Sequence, residues 1–420
     1  MLSVLVAAHE LGHYLFARLF NMGVEEFAVG MFGKKPLLTY MRRRYRLKIR
    51  PGEDPYVRQQ PSGGFNFEGG GDQKEAVVLD SPSGRYIEET TDFTIRPWPI
   101  GGFVRIKGMM PQEDGSEVRV PGGFYSKSPV QRLVVLFAGP LFSVLAGIIV
   151  LVPLYMFGGV QKPQDVPVLG MMVKDEPAYK ADLRPLDTVV SINGRPIKTF
   201  YQMVQIVRES SGIPLLFVYD RKGVRGQTIV TPKLSKDPYP VLGPDLQFTG
   251  ELKSQGMIGI SPLHKVVNLG FAEAVASAVS RPWMAVRGLV ELVQQPSTAK
   301  EAVGGPVAMF NDTSSAVQQG FTSIMELAAL ISISVGIFNL LPIYPLDGGQ
   351  MVVAFAELLR GGRRLTMQFQ NTVATLGLGM VLLIVVGVLF VDISRFTGKQ
   401  TPPPKIIDVP TSAPSPAKAK

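Results

Sequence analysis

Four stretches of the chain are apolar for about the length of a membrane-crossing helix. They are Leu2–Phe20, Leu133–Gly158, Leu327–Leu346 and Thr372–Val391. The second and third carry no charge, and the fourth is interrupted only by glycines and threonines. A hydrocarbon core of roughly 30 Å takes about 20 helical residues, so each run is read as a span. The pattern predicts a multi-pass α-helical membrane protein with four transmembrane helices. The first run is short on its N-terminal side, as an incomplete N-terminus would leave it: the stretch before Arg18 reaches only about 26 Å at the helical rise. It lacks a basic leading segment, so it is not read as a cleavable signal peptide.

The polar stretches between the runs are less uniform. Residues 34–92 are rich in Gly and Arg and show little periodicity, and Gly69-Gly70-Gly71 and Ser81-Pro82-Ser83-Gly84 mark loops. The alternation from Phe103 to Lys107, bounded by glycines, reads as a strand in a β-hairpin near 98–108. Residues 166–235 read as a compact α+β unit. Its strands are Val166–Val173, Thr188–Ile192, Leu215–Tyr219 and Thr228–Val230, with a turn at Asn193-Gly194 and a helical stripe of Phe200, Met203, Ile206 and Val207. Residues from about Gly270 to Gln295 are amphipathic, which fits a helix on a membrane surface as well as a packed helix. The tail from Thr401, rich in Pro, Ala and Lys, reads as disordered. The implied division is 1–20 first span, 21–128 loop with the hairpin, 129–160 second span, 161–250 inserted domain, 265–320 amphipathic connection, 321–346 third span, 347–371 loop, 372–392 fourth span and 393–420 tail.

Charge orients these elements. The net charge is +9, but its placement says more. Lys34, Lys35, Arg42, Arg43, Arg44, Arg46, Lys48 and Arg50 lie in an acid-free stretch, and Arg360, Arg363 and Arg364 lie between the third and fourth runs. With four spans both clusters fall on one side, which the positive-inside rule makes cytoplasmic. The inserted domain is then extracytoplasmic. Basic residues flanking spans account for the charge without nucleic acid. The chain has no cysteine, so disulfides and thiolate ligands are excluded.

Only three histidines are present, and His9-Glu10-Leu11-Gly12-His13 takes two of them. Residues i and i+4 share a helix face, so His9 and His13 can offer two imidazoles to one metal. Glu10 lies beside them, placed to handle the proton of a metal-bound water. The same pentapeptide can occur by chance on an amphipathic helix with its histidines bonded to core carbonyls. Ionisable groups inside a span are costly, however, and mark function by default. A zinc hydrolase site needs a third protein ligand. His264 is expected across the membrane. Asp347 ends the third run at Asn339-Leu340-Leu341-Pro342-Ile343-Tyr344-Pro345-Leu346-Asp347-Gly348-Gly349, on the cytoplasmic side with the end of the first span. Taken alone, Asp347 reads as the cap of a following helix; beside His9 and His13, it reads as the ligand.

An HExxH in the first span and an NxxPxxxLDGG segment in a later one together resemble the site-2 protease family of intramembrane zinc metalloproteases. Gly101-Gly102-Phe103-Val104, Ala138-Gly139-Pro140, the inserted unit and Gly304-Gly305-Pro306 extend the resemblance over nearly the whole chain. One PDZ-like domain between the second and third spans makes it most similar to the bacterial regulator-of-sigma-E-protease branch. The resemblance implies a plasma-membrane protein, monomeric, in which His9, His13 and Asp347 bind Zn2+ and Glu10 is the general base and later the proton donor. It implies that Asn339 holds the substrate backbone. The strand at Gly102, Phe103 and Val104 would pair with unwound single-span substrates such as anti-sigma factors or signal-peptide remnants. Two other readings compete: an inactive scaffold presenting the PDZ-like unit, and a membrane-anchored zincin acting on soluble substrates. Three departures from the family pattern stand out. Ser143 replaces an asparagine, which puts one polar contact in doubt; residues 34–92 exceed the usual spacer; and the first span is short.

Overall fold

The computed structural model describes residues 2–33, 35–48, 57–59, 65–67, 78–81, 84–109, 120–235, 239–246, 248–294, 306–397 and 406–407. They divide into two compact units, one of residues 1–156 and 270–394 and the other of 157–269 and 395–420. Among the described residues, three helices are long and apolar enough to cross a membrane: Pro129–Gly158, Phe321–Asn339 and Gln368–Ile393. The first run is helical as expected, over Leu2–Leu19. It is not among the three, because His9, Glu10, His13 and Arg18 dilute its apolar character.

In the first unit the motif helix Leu2–Leu19 ends at Asn21, which takes a left-handed φ of 56° and turns the chain into a sheet. The polar stretch 34–92 is corrected here. It is not irregular throughout, for it contributes strands Leu38–Lys48 and Gly84–Ile95. The sheet order is Leu38–Lys48, Gly84–Ile95, Val24–Met31, Trp98–Ile106, with Val78–Ser81 also pairing with Gly84–Ile95. The expected local hairpin near 98–108 is therefore one edge strand of a larger sheet. Trp98–Ile106 pairs antiparallel with Val24–Met31, Phe27 opposite Val104, while Val24–Met31 runs parallel to Gly84–Ile95. Tyr14, Ala17, Phe27, Phe93, Ile106, Val135 and Leu136 form the shared core of the motif helix, sheet and second helix.

The second helix, Pro129–Pro153, starts with a capping box in which Ser128 and Gln131 exchange side-chain and backbone bonds. It packs on Phe321–Asn339 through small residues. A Cβ added at Gly147 would lie 2.7 Å from the Ala329 carbonyl oxygen, and one at Gly336 2.7 Å from that of Pro140. Beyond Asn339 the chain turns through Pro342 and a cis Tyr344–Pro345 bond, and the expected loop after 347 is a helix, Asp347–Leu359. Gly348 and Gly349 let that helix start against the turn, since their Cβ atoms would lie 2.3 Å from Leu341 O and 2.4 Å from Tyr344 N. The final helix, Met367–Thr397, turns Leu376, Leu383, Val386 and Phe390 outward.

The second unit has a four-stranded antiparallel sheet in the order Arg195–Pro196, Thr188–Ile192, Leu215–Arg221, Val224–Val230. The helix Phe200–Glu209 covers it, burying Phe200, Met203 and Val207 against Val189, Ile192 and Phe217. Asn193-Gly194 and Lys222-Gly223 both have positive φ, as two-residue hairpin turns require. The strands Val160–Pro163 and His264–Val267, where the chain enters and leaves the unit, pair with each other. Of the tail expected over 393–420, residues 393–397 instead continue the final helix and Ile406–Ile407 pairs with Leu169–Val173; the disorder expected elsewhere in it falls outside the described residues.

Candidate metal centre

His9 and His13 lie one helical turn apart and are 6% and 5% exposed. Their Nε2 atoms are 3.2 Å apart. Asp347 Oδ2 lies 3.0 Å from the His9 Nε2 and 3.3 Å from that of His13. Zinc–ligand bonds of about 2.0–2.1 Å in a tetrahedron put neighbouring ligand atoms about 3.3 Å apart. The three observed separations fit that figure, and three donors leave one vertex open. Two imidazole nitrogens and a carboxylate oxygen form a donor set that suits zinc, and the residues present fit such an ion.

The far nitrogens show how the rings are held. His13 Nδ1 lies 2.8 Å from the Val135 carbonyl oxygen. A carbonyl only accepts, so Nδ1 carries the proton and Nε2 presents its lone pair. His9 Nδ1 lies 2.9 Å from Ser143 Oγ, and Ser332 Oγ donates to the Ser143 carbonyl at 2.8 Å. Ser143 thus supports His9 through its hydroxyl. Gly139 has to be glycine, since a Cβ there would lie 2.2 Å from His13 Nε2.

Asp347 does not act as a helix cap. It is the first residue of its helix; Leu346 stands at the cap position with no side-chain bond, and the Asp347 carboxylate faces the histidines. Glu10 is half-buried and accepts a hydrogen bond from the Val104 N–H at 2.9 Å. Gly102, Phe103 and Val104 lie half-buried on the edge strand beside the motif helix, and Asn339 closes the third helix. His264 is exposed in the other unit. Sequence reasoning missed Val135, Ser143 and Ser332 as supports of the histidines. The one local trace is the four-residue spacing of Gly139, Ser143 and Gly147.

A second feature sewn into this unit is Arg132, buried on the second helix and paired with Glu357 of the Asp347 helix. Glu357 also accepts from Leu365 N–H at 3.1 Å, and Arg132 stacks over Tyr125.

Comparison with known proteins agrees with this chemistry. A family model described as Peptidase family M50 matches residues 1–52 and 82–384. The zinc metalloprotease RasP of Oceanobacillus iheyensis is 28% identical over 424 residues, covering 94% of this chain and 97% of that protein. The regulator of sigma-W protease RasP of Bacillus subtilis is 28% identical over 427 residues, covering 94% and 96%. Among solved structures, a PDZ domain of an SdrC-like protein from Listeria monocytogenes matches 23% of this chain and 85% of its own length, at 21% identity and a TM-score of 0.17.

Proposed function

This chain belongs to peptidase family M50 and is a zinc metalloprotease, and we propose that it cleaves single-span membrane proteins within the bilayer, with His9, His13 and Asp347 as the metal ligands. The observation that carries the reading is the convergence of both Nε2 atoms and Asp347 Oδ2 in a unit that holds three membrane-length apolar helices. A zinc ion held there by His9, His13 and Asp347 would polarise the scissile carbonyl and acidify a water. Glu10 takes the proton from the attacking water and returns it to the leaving amide nitrogen. A transmembrane helix hides its own peptide bonds, so the substrate must first unwind. The free edge of Trp98–Ile106 holds the extended form by strand addition, and Asn339 contacts its backbone. The motif helix is the fourth span. Its polar face turns inward to the site, which offsets its lower hydropathy. The basic strands and the Asp347 end lie on the cytoplasmic side, and the PDZ-like unit 157–269 lies across the membrane, where it screens substrates by the size of their ectodomains. Substrates of the anti-sigma or signal-remnant kind fit this arrangement.

Purified protein is incubated with single-span peptides, with and without chelator. Glu10→Gln is expected to keep its zinc and lose at least about a hundredfold in cleavage rate, the scale of general-base catalysis. Chelator-resistant cleavage, or Glu10→Gln turnover within tenfold of the native protein, would overturn the assignment.

A further inference from the structure

Trp98–Ile106 pairs with Val24–Met31 on one side, and among the described residues no strand pairs with its other side. In an antiparallel ladder, alternate residues turn their N–H and C=O groups toward the partner and away from it. Val104, opposite Phe27, turns its N–H away and donates it to Glu10 Oε2 at 2.9 Å. Gly102, two residues back and opposite Val29, shares this outward phase. An added strand would have to accept from these same outward N–H groups. The chain's candidate base and its candidate substrate edge thus meet at one backbone donor.

We propose that the Val104 N–H is exchanged between Glu10 and the substrate, so that strand addition and release of the base are one event. This rests on the reading of Glu10 and the edge strand given above. Without substrate, Glu10 is held on the edge strand by a charge-assisted bond. A segment that has unwound and paired in register supplies its own carbonyl to Val104, and Glu10 is freed beside the metal site for water. A helical segment has its carbonyls occupied by its own i→i+4 bonds and cannot make the exchange. Selection for unwound substrate is thereby built into the base itself.

The test uses zinc-loaded full-length protein and two substrates, a single-span peptide long enough to add a strand and a chromogenic tripeptide too short to do so. Val104→Pro removes the N–H, and proline is tolerated on an edge strand. It is expected to cleave the tripeptide about tenfold faster than the native protein, the scale of one charge-assisted bond, while KM for the long peptide rises severalfold. A Val104→Pro protein that cleaves the tripeptide more slowly, or no faster, overturns the proposal; the slower outcome would make the N–H a permanent orienting group for the base. Amide exchange at Val104 keeps the question open to test if that variant does not fold. Glu10→Ala should accelerate exchange at least tenfold, and the uncleaved long peptide should restore protection. Exchange that ignores both changes also overturns the proposal. Native protein that binds zinc yet cleaves neither substrate sinks the protease reading instead.

Discussion

The histidines are oriented from behind. Val135 fixes the tautomer of His13, and Ser143, itself held by Ser332, supports His9. Outer partners of metal-bound histidines are worth about ten- to a hundredfold in metal affinity. Ser143→Ala is therefore expected to weaken zinc binding by about that factor with the melting temperature nearly unchanged, as read by competition with a chromogenic chelator; native affinity in the variant would remove Ser143 from the site. The candidate ligands, which the structure brings together, were legible in the sequence because their chemistry is local and specific: a four-residue spacing places His9 and His13 on one face, and Asp347 sits at a forced break in an apolar run. The supports were not. His9–Ser143 and His13–Val135 join residues 134 and 122 positions apart, and a backbone carbonyl leaves no mark in a side-chain pattern. Ser143, where the family pattern has an asparagine, places a hydroxyl against His9.

At the scale of elements, each apolar run overlaps a helix because burial in lipid demands an unbroken apolar stretch, but the bounds drift: the third run, Leu327–Leu346, falls on Phe321–Asn339 and the fourth, Thr372–Val391, lies inside Met367–Thr397. The strands Leu38–Lys48 and Gly84–Ile95 escaped notice because most of the residues in the first are exposed on both faces, so the period-two signal that burial would impose is missing. The helix Asp347–Leu359 was read as a loop because the basic residues after it dominate that stretch. Its placement depends on a second polar contact, the fully buried Arg132–Glu357 pair. Removing one partner of a buried pair strands the other charge and costs about 3–5 kcal/mol, whereas replacing both with apolar residues is often neutral or stabilising. Glu357→Leu alone is thus expected to destabilise by about that amount. Arg132→Met with Glu357→Leu should recover most of it in the same thermal melt. A double variant no more stable than the single one would show that the pair does more than seal the interface.

For the whole molecule, the unit 157–269 left its trace in chemically specific turns, Asn193-Gly194 most of all, while the sidedness proposed for it rests on charge rather than on fold. The four-span topology puts Thr90 and Lys222 on opposite faces of the membrane; both are exposed, and the chain has no cysteine. Single cysteines at these positions are expected to react with an impermeant maleimide from opposite sides of oriented vesicles. Labelling of both from one side would refute the topology.

One contact described above bears on how the ion comes and goes. Gly139 lies so close to His13 that a single methyl group would collide with the ring, and a Cβ at Gly12 would lie 2.2 Å from the Ala138 carbonyl oxygen. The two helices that frame the centre therefore meet main chain to main chain at Gly12 and Gly139, with side chains such as Phe16 and Phe142 packed beside that contact. In small zinc domains the fold is made by the metal and vanishes with it. Here the scaffold is made by helix packing and only lent to the ion. Loss of the ion is therefore expected to silence the site without unfolding the helices that frame it.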